Sequence, residues 1–197
     1  MPENNIRAAI EALLFASEKP LTLEQIKEAL DNIGTVEIRK HIEELRDEYE
    51  KTNRGIRIIE IAGGFQMITA PIFISFLKKL YKQHRAEKLS VPALETLAIV
   101  AYKQPVTRLQ VEAIRNVDVD GMLKGLIEKD LIRVTGRKKA PGRPKVYGTT
   151  RRFLEHFGLR SLEELPKIEE FLVSKPQDSP ALLATKEGAD ELKESTP

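Results

Sequence analysis

Apolar and polar positions alternate along this chain with two different periods, and the switches between them mark out the elements. Ile38, Ile42, Leu45 and Tyr49 stand at i, i+4, i+7 and i+11, which places them on one face of a helix. Val119, Leu123 and Leu126 repeat the same four-then-three spacing further on. Between these stretches the pattern tightens. Arg57 to Ile61 and Phe65 to Thr69 are apolar-rich runs on either side of Gly63-Gly64, which predicts a β-hairpin with a primed turn. Leu131 to Thr135 and Val146 to Thr149 predict a second hairpin with a longer loop. Pro71 is placed to open a further helix carrying Phe73, Phe76, Leu77 and Leu80.

These elements occur twice. Ile10 to Ile26 reads IEALLFASEKPLTLEQI and Leu94 to Val111 reads LETLAIVAYKQPVTRLQV. Each is an apolar helical stretch that reaches Lys and Pro, then continues as an apolar residue, Thr, two residues, Gln and an aliphatic residue. Thr at the N-cap with Gln three positions on is a capping box, in which each residue satisfies an amide the helix start leaves free. The Pro two residues upstream stops the preceding helix. Each half therefore predicts a helix, a Pro turn, a capped helix, a third helix and a hairpin. That order is the winged helix, a helix-turn-helix core with a two-stranded wing. The predicted fold class is mainly α with small β-hairpin wings (α+β), in two tandem winged-helix domains. The expected boundaries are 1–85, 86–160 and an acidic tail over 161–197. From Glu163 to Glu194 the tail carries nine acidic and four basic residues, with Pro176 and Pro180.

Composition narrows the chemistry. Hydrophobic residues make up 41% and charged residues 31% of the 197, enough for real cores in a globular protein. The net charge is only +2, so any attraction to nucleic acid has to be local. The chain has no cysteine, which excludes disulfides, a thiol nucleophile and Cys-ligated metal. No targeting segment or membrane span is expected, because Glu3, Arg7 and Glu11 interrupt the apolar start. His41, His84 and His156 stand apart from one another, without metal-ligand spacing. Gly136 to Gly142 fails as a phosphate loop, since five residues intervene and Arg-Pro follows. Adjacent carboxylates such as Glu43-Glu44 diverge on a helix. No catalytic constellation is expected, and no cofactor or metal.

The strongest local charge lies in the second hairpin. Arg133, Arg137, Lys138, Lys139, Arg143, Lys145, Arg151 and Arg152 occur with no acidic residue among them. Such a stripe can neutralise DNA phosphates, dock an acidic partner or stay solvated. Arg137, Lys138, Lys139 and Lys145 are the candidates for DNA contact. Against a DNA-reading third helix, Glu37, Glu43, Glu44, Asp47, Glu48 and Glu50 crowd the first copy, and Asp118, Asp120, Glu128 and Asp130 surround the second. Among aromatics, Phe15, Phe65, Phe73, Phe76 and Phe153 are expected in the cores. Tyr102 and Tyr147, beside the Pro turn and the Gly-rich loop, suit either a surface anchor or a partly buried structural role.

The stretches LSVPALETLAIVAYKQPVTRLQVEAIR (Leu89–Arg115), GLIEKDLI (Gly125–Ile132), GRKKAPGRPKVYGTT (Gly136–Thr150) and FLEHFGLRSLEELP (Phe153–Pro166) resemble the segregation and condensation protein B family. EALLFASEKPL (Glu11–Leu21) and GGFQMIT (Gly63–Thr69) extend the resemblance to about residues 5–166. Asn116 stands where that family leads one to expect Gly, and Phe65 and Met67 where it leads one to expect Tyr and Leu. The resemblance implies a cytoplasmic, nucleoid-associated, non-enzymatic homodimer that joins largely through its first winged helix. It also implies a partner, the kleisin called segregation and condensation protein A, and through it the ATPase of the structural-maintenance-of-chromosomes complex. The expected role is chromosome condensation and segregation during cell division. The alternative is a winged-helix regulator that binds DNA directly. For kleisin binding the expected residues are Tyr102, Lys103, Gln104 and Pro105 at the second Pro turn, with Arg143, Tyr147 and Thr149 beside the wing.

Overall fold

A computed structural model describes residues 3–30, 33–81 and 88–167. The expected domain join at 85/86, His84, and the expected tail beyond residue 167 lie outside the described residues.

The first half begins with α1 (Glu3–Ala16), α2 (Leu23–Ala29) and α3 (Thr35–Lys51). The Thr22–Gln25 capping box forms as the sequence predicts, with the Gln25 amide donating to Thr22 Oγ1 at 3.2 Å and the Thr22 amide donating to Gln25 Oε1 at 2.9 Å. Ile38, Ile42, Leu45 and Tyr49 of α3 are all buried, against Ile6, Ile10 and Leu14 of α1 and Ile26 of α2. Each such aliphatic side chain contributes roughly 1.5–3 kcal/mol by leaving water.

The wing, β1 (Ile56–Ile61) and β2 (Gly64–Thr69), closes that core with Ile58 and Phe65. Its turn is not Gly63-Gly64. Ile61 pairs with Gly64, and the left-handed turn residues are Ala62 (φ 50°) and Gly63 (φ 69°). Gly64 belongs to the strand for a different reason. A Cβ there would stand 2.7 Å from the Leu21 carbonyl oxygen. Leu21 bridges Phe65 with paired hydrogen bonds of 2.9 and 2.8 Å, so the segment after the Pro turn lies directly on the wing.

Pro71 opens a short 3-10 turn, Pro71–Phe73, rather than the helix itself, which is α4 (Ile74–Leu80). Phe15 and Phe76, expected in the core, are 79% and 65% exposed. On α1 the buried stripe runs through Ile6, Ile10 and Leu14 at four-residue spacing. Phe15 lies one residue, about 100°, off that stripe. Phe65 and Phe153 are buried as expected.

The second half repeats the plan. It comprises α5 (Val91–Lys103), β3 (Val106–Thr107), α6 (Arg108–Arg115), α7 (Asp120–Glu128), β4 (Ile132–Arg137), β5 (Lys145–Thr149) and α8 (Arg151–Phe157). The Thr107–Gln110 capping box forms. Val119, Leu123 and Leu126 are buried, with Val119 at the N-cap of α7. Asn116 caps α6 in the left-handed conformation (φ 54°), a geometry that asparagine tolerates after glycine best. Here the wing has three strands, ordered β3-β5-β4, where two were expected. β4 also runs two residues further, through Gly136 and Arg137, past a bulge between Val134 and Gly136. Val106 pairs with Tyr147 as Leu21 pairs with Phe65, so the duplication extends to the strand contributed by each Pro turn.

Both copies belong to one compact unit, Met1–Glu164. The chain after α8 returns to the first wing, where the Ala62 and Gly63 amides donate to the Leu159 and Arg160 carbonyls at 2.8 and 3.2 Å. Arg151 reaches the Pro20 carbonyl at 2.7 Å and lines an open cleft of about 900 Å³ with Lys19, Arg152 and Glu155.

Candidate partner-binding surface

The second Pro turn is held together by Gln104. Its Oε1 accepts from the Thr149 amide at 2.7 Å and from the Thr149 hydroxyl at 3.1 Å, while its Nε2 donates to the Ala101 carbonyl at 3.1 Å. The Gln104 side chain lies across Gly148, where a Cβ would stand 2.9 Å from Gln104 Oε1 and 3.0 Å from Thr135 Cγ2. Gly148 is therefore required by close approach and not by backbone conformation. Of Gly148 and Gly142, it is Gly142, at φ +77°, whose conformation matters. The Gln104–Pro105 peptide is cis.

This geometry sorts the expected site residues by exposure. Gln104 and Thr149 do come together, but they bond to each other and are spent on joining α5 to β5. Tyr147, on β5 between β3 and β4, is 9% exposed, the buried of the two roles the sequence left open to it. Lys103, Pro105 and Arg143 are exposed, and Tyr102 is partly so. What the sequence reading missed is apolar. Ile72, Phe76 and Leu80 are 65–74% exposed around α4, and Phe15 edges a hollow of about 260 Å³ with Ala12, Ile56 and Met67. A helical apolar stripe looks the same in sequence whether its own chain or another covers it, so no signal separated these residues from core.

Electrostatics differ sharply between helix and wing. Asp120 at the start of α7 pairs with Lys124 at 2.7 Å and Arg108 at 3.5 Å, and the Lys124 ammonium holds its carboxyl below the usual range. On α3, His41 is buried with Nδ1 3.2 Å from Glu44. His156 is exposed, edge-on to the Phe157 ring. Among the described residues no group of three His, Asp or Glu is placed to hold a metal ion. None of the described helices is long and apolar enough to cross a membrane.

Residues 8–168 match the profile of the family described as segregation and condensation complex subunit ScpB. The chain belongs to that family. It is 46% identical over 172 residues to segregation and condensation protein B of Clostridium tetani, covering 86% of this chain and 90% of that one. It is 40% identical over 195 residues to the protein of the same name from Geobacillus kaustophilus, covering 98% and 89%. Among solved structures, ScpB from Mycobacterium tuberculosis is similar at 32% identity and a TM-score of 0.40, covering 81% of this chain and 98% of that one. A dimer of an ScpB N-terminal domain complexed with an ScpA peptide is similar at 36% identity and a TM-score of 0.37, covering 39% and 95%. The predicted family, and the winged-helix fold with it, hold.

Proposed function

We propose that this chain is a non-enzymatic scaffold of a bacterial condensin, dimeric through its first winged helix (residues 1–85) and bound to a kleisin of the ScpA type. Through the kleisin it meets the ATPase of the complex, which supplies the nucleotide hydrolysis. The setting is the cytoplasm, and the outcome is chromosome condensation and segregation. Family membership across residues 8–168 supports the reading.

The observation that carries the dimer is the uncovered apolar surface of the first half. Phe15, Ile72, Phe76 and Leu80 are each at least 65% exposed, and a second copy would remove them from water. For the kleisin, the second Pro turn presents Lys103 and Pro105 exposed and Tyr102 partly so, an edge on which a peptide segment can dock. Arg143 lies on the wing loop and Gln104, Tyr147 and Thr149 support the turn from within.

Calorimetric titration of the full chain with the central segment of its cognate kleisin tests the reading, with light scattering to read the mass. A dimer that binds the segment is expected. A monomer that binds none of it would sink the proposal.

A further inference from the structure

The duplication supplies an internal control. The first wing is short, turns in two residues, and has that turn covered by the carbonyls of Leu159 and Arg160. The second wing has strands of similar length but a longer connection, residues 138–144, and among the described residues nothing covers its end. Every residue of β4 from Arg133 onward is exposed.

That end is ordered and basic. Ala140 accepts from the Arg143 amide at 2.8 Å around Pro141-Gly142, with Gly142 at φ +77°, the arrangement of a type II turn. The Lys138 amide donates to the Pro144 carbonyl at 2.9 Å, and Arg137 donates to the Arg143 carbonyl at 3.2 Å. Six cations are displayed there: Arg133, Arg137, Lys138, Lys139, Arg143 and Lys145. None has an acidic partner among the described residues, whereas Arg108 and Lys124 beside α7 are both paired. Arg137 and Lys145 are direct cross-strand partners, so two like charges face each other in the ladder. Such a pair is destabilising on its own, and an anion laid against it would relieve the repulsion.

We infer that the second wing is a contact surface for the phosphate backbone of duplex DNA. An acidic protein is the weaker fit. Protein interfaces are anchored by buried aromatic or aliphatic side chains, and this tip offers only Val134, 42% exposed. Phosphates need cations, amides and hydroxyls, which the tip has, with Thr135 between the arginines. The acidic residues around α7 keep that helix out of a groove, so the wing contacts backbone and reads no sequence. This contact is measured without the kleisin, and of its six cations only Arg143 also belongs to the surface proposed for kleisin binding.

Fluorescence anisotropy of the full chain with mixed-sequence 30-base-pair duplexes, from 50 to 200 mM salt, tests it. Six neutralised phosphates predict a slope of log K against log salt near −5, and K138A/K139A/R143A lowers that slope by about 3. The variant is expected to bind about tenfold or more weakly at 50 mM salt with unchanged thermal unfolding. K78A/K79A, on exposed cations of α4, leaves binding unchanged and controls for general positive charge. Absent DNA binding, an unaffected triple variant, equal loss in the α4 control, or equal binding of a poly-glutamate peptide at matched salt would overturn the inference.

Discussion

Gln104 and Gly148 form a lock whose two parts are expected to depend on each other, because the side chain of one occupies the space of the missing side chain of the other. Gln104→Ala removes the acceptor of the Thr149 amide and hydroxyl and the donor to Ala101. A hydrogen bond contributes about 1 kcal/mol net, and a backbone amide left without an acceptor costs about 1–3 kcal/mol. Gln104 is half-buried, so water partly replaces it. The expected loss is about 2 kcal/mol.

Gly148→Ala alone forces its Cβ against Gln104 Oε1 and Thr135 Cγ2, an overpacking of about 1–3 kcal/mol. The glutamine oxygen is the end of a flexible chain, but it can yield only by giving up its bonds to Thr149. In the Gln104→Ala background that obstacle is gone and only Thr135 remains. The double variant should therefore lose about 1 kcal/mol less than the two single losses together. Urea denaturation followed by circular dichroism measures all four corners. With a slope of about 2 kcal/mol per molar, Gln104→Ala should move the midpoint by about 1 M. Single losses that add to within about 0.3 kcal/mol would show that the two residues do not share space, and would refute the reasoning.

Three further outcomes are expected. Tyr147→Ala, which empties a buried site, should cost about 3–5 kcal/mol in denaturant, whereas Tyr102→Ala should weaken kleisin binding in calorimetry with a smaller effect on stability. Gly64→Ala sets a Cβ against the Leu21 carbonyl, which is backbone and cannot turn aside, so a loss of about 2 kcal/mol or more and a breach of the Leu21–Phe65 bridge are expected from denaturation and amide exchange. Burial and the hydrogen bond to Glu11 push the Tyr49 hydroxyl from 10.0 up to about 12. The native state then holds this proton more tightly than the unfolded chain, so its contribution is intact below pH 10 and is lost as pH rises toward 12. Ultraviolet titration reads the shift, and Glu11→Gln should lower it.

Much of the fold was legible because its signals are local. Two capping boxes, two Pro turns and two four-then-three apolar stripes each act within a few residues, and all of them form. The motif Ala-Tyr-Lys-Gln-Pro was legible as a family signature, but its roles were not. Gln104 and Thr149 are 45 residues apart, and only folding lays one across the other.

Tertiary structure alone decided which apolar faces stay open and which glycine serves what purpose. Phe65 and Phe76 look alike in sequence, yet Phe65 fills the first core while Phe76 stands in solvent. Gly63 turns the chain, and Gly64, its neighbour, makes room for the Leu21 carbonyl. Of the two roles open to Tyr147, surface anchor or buried support, the fold selects burial, on the strand that β3 and β4 flank. Propensity and capping depend on neighbours along the chain, so the sequence alone determined the helices, the hairpins and their duplication. Burial depends on what another element brings from a distance, so exposure, close approach and the uncovered basic wing came only from the assembled fold.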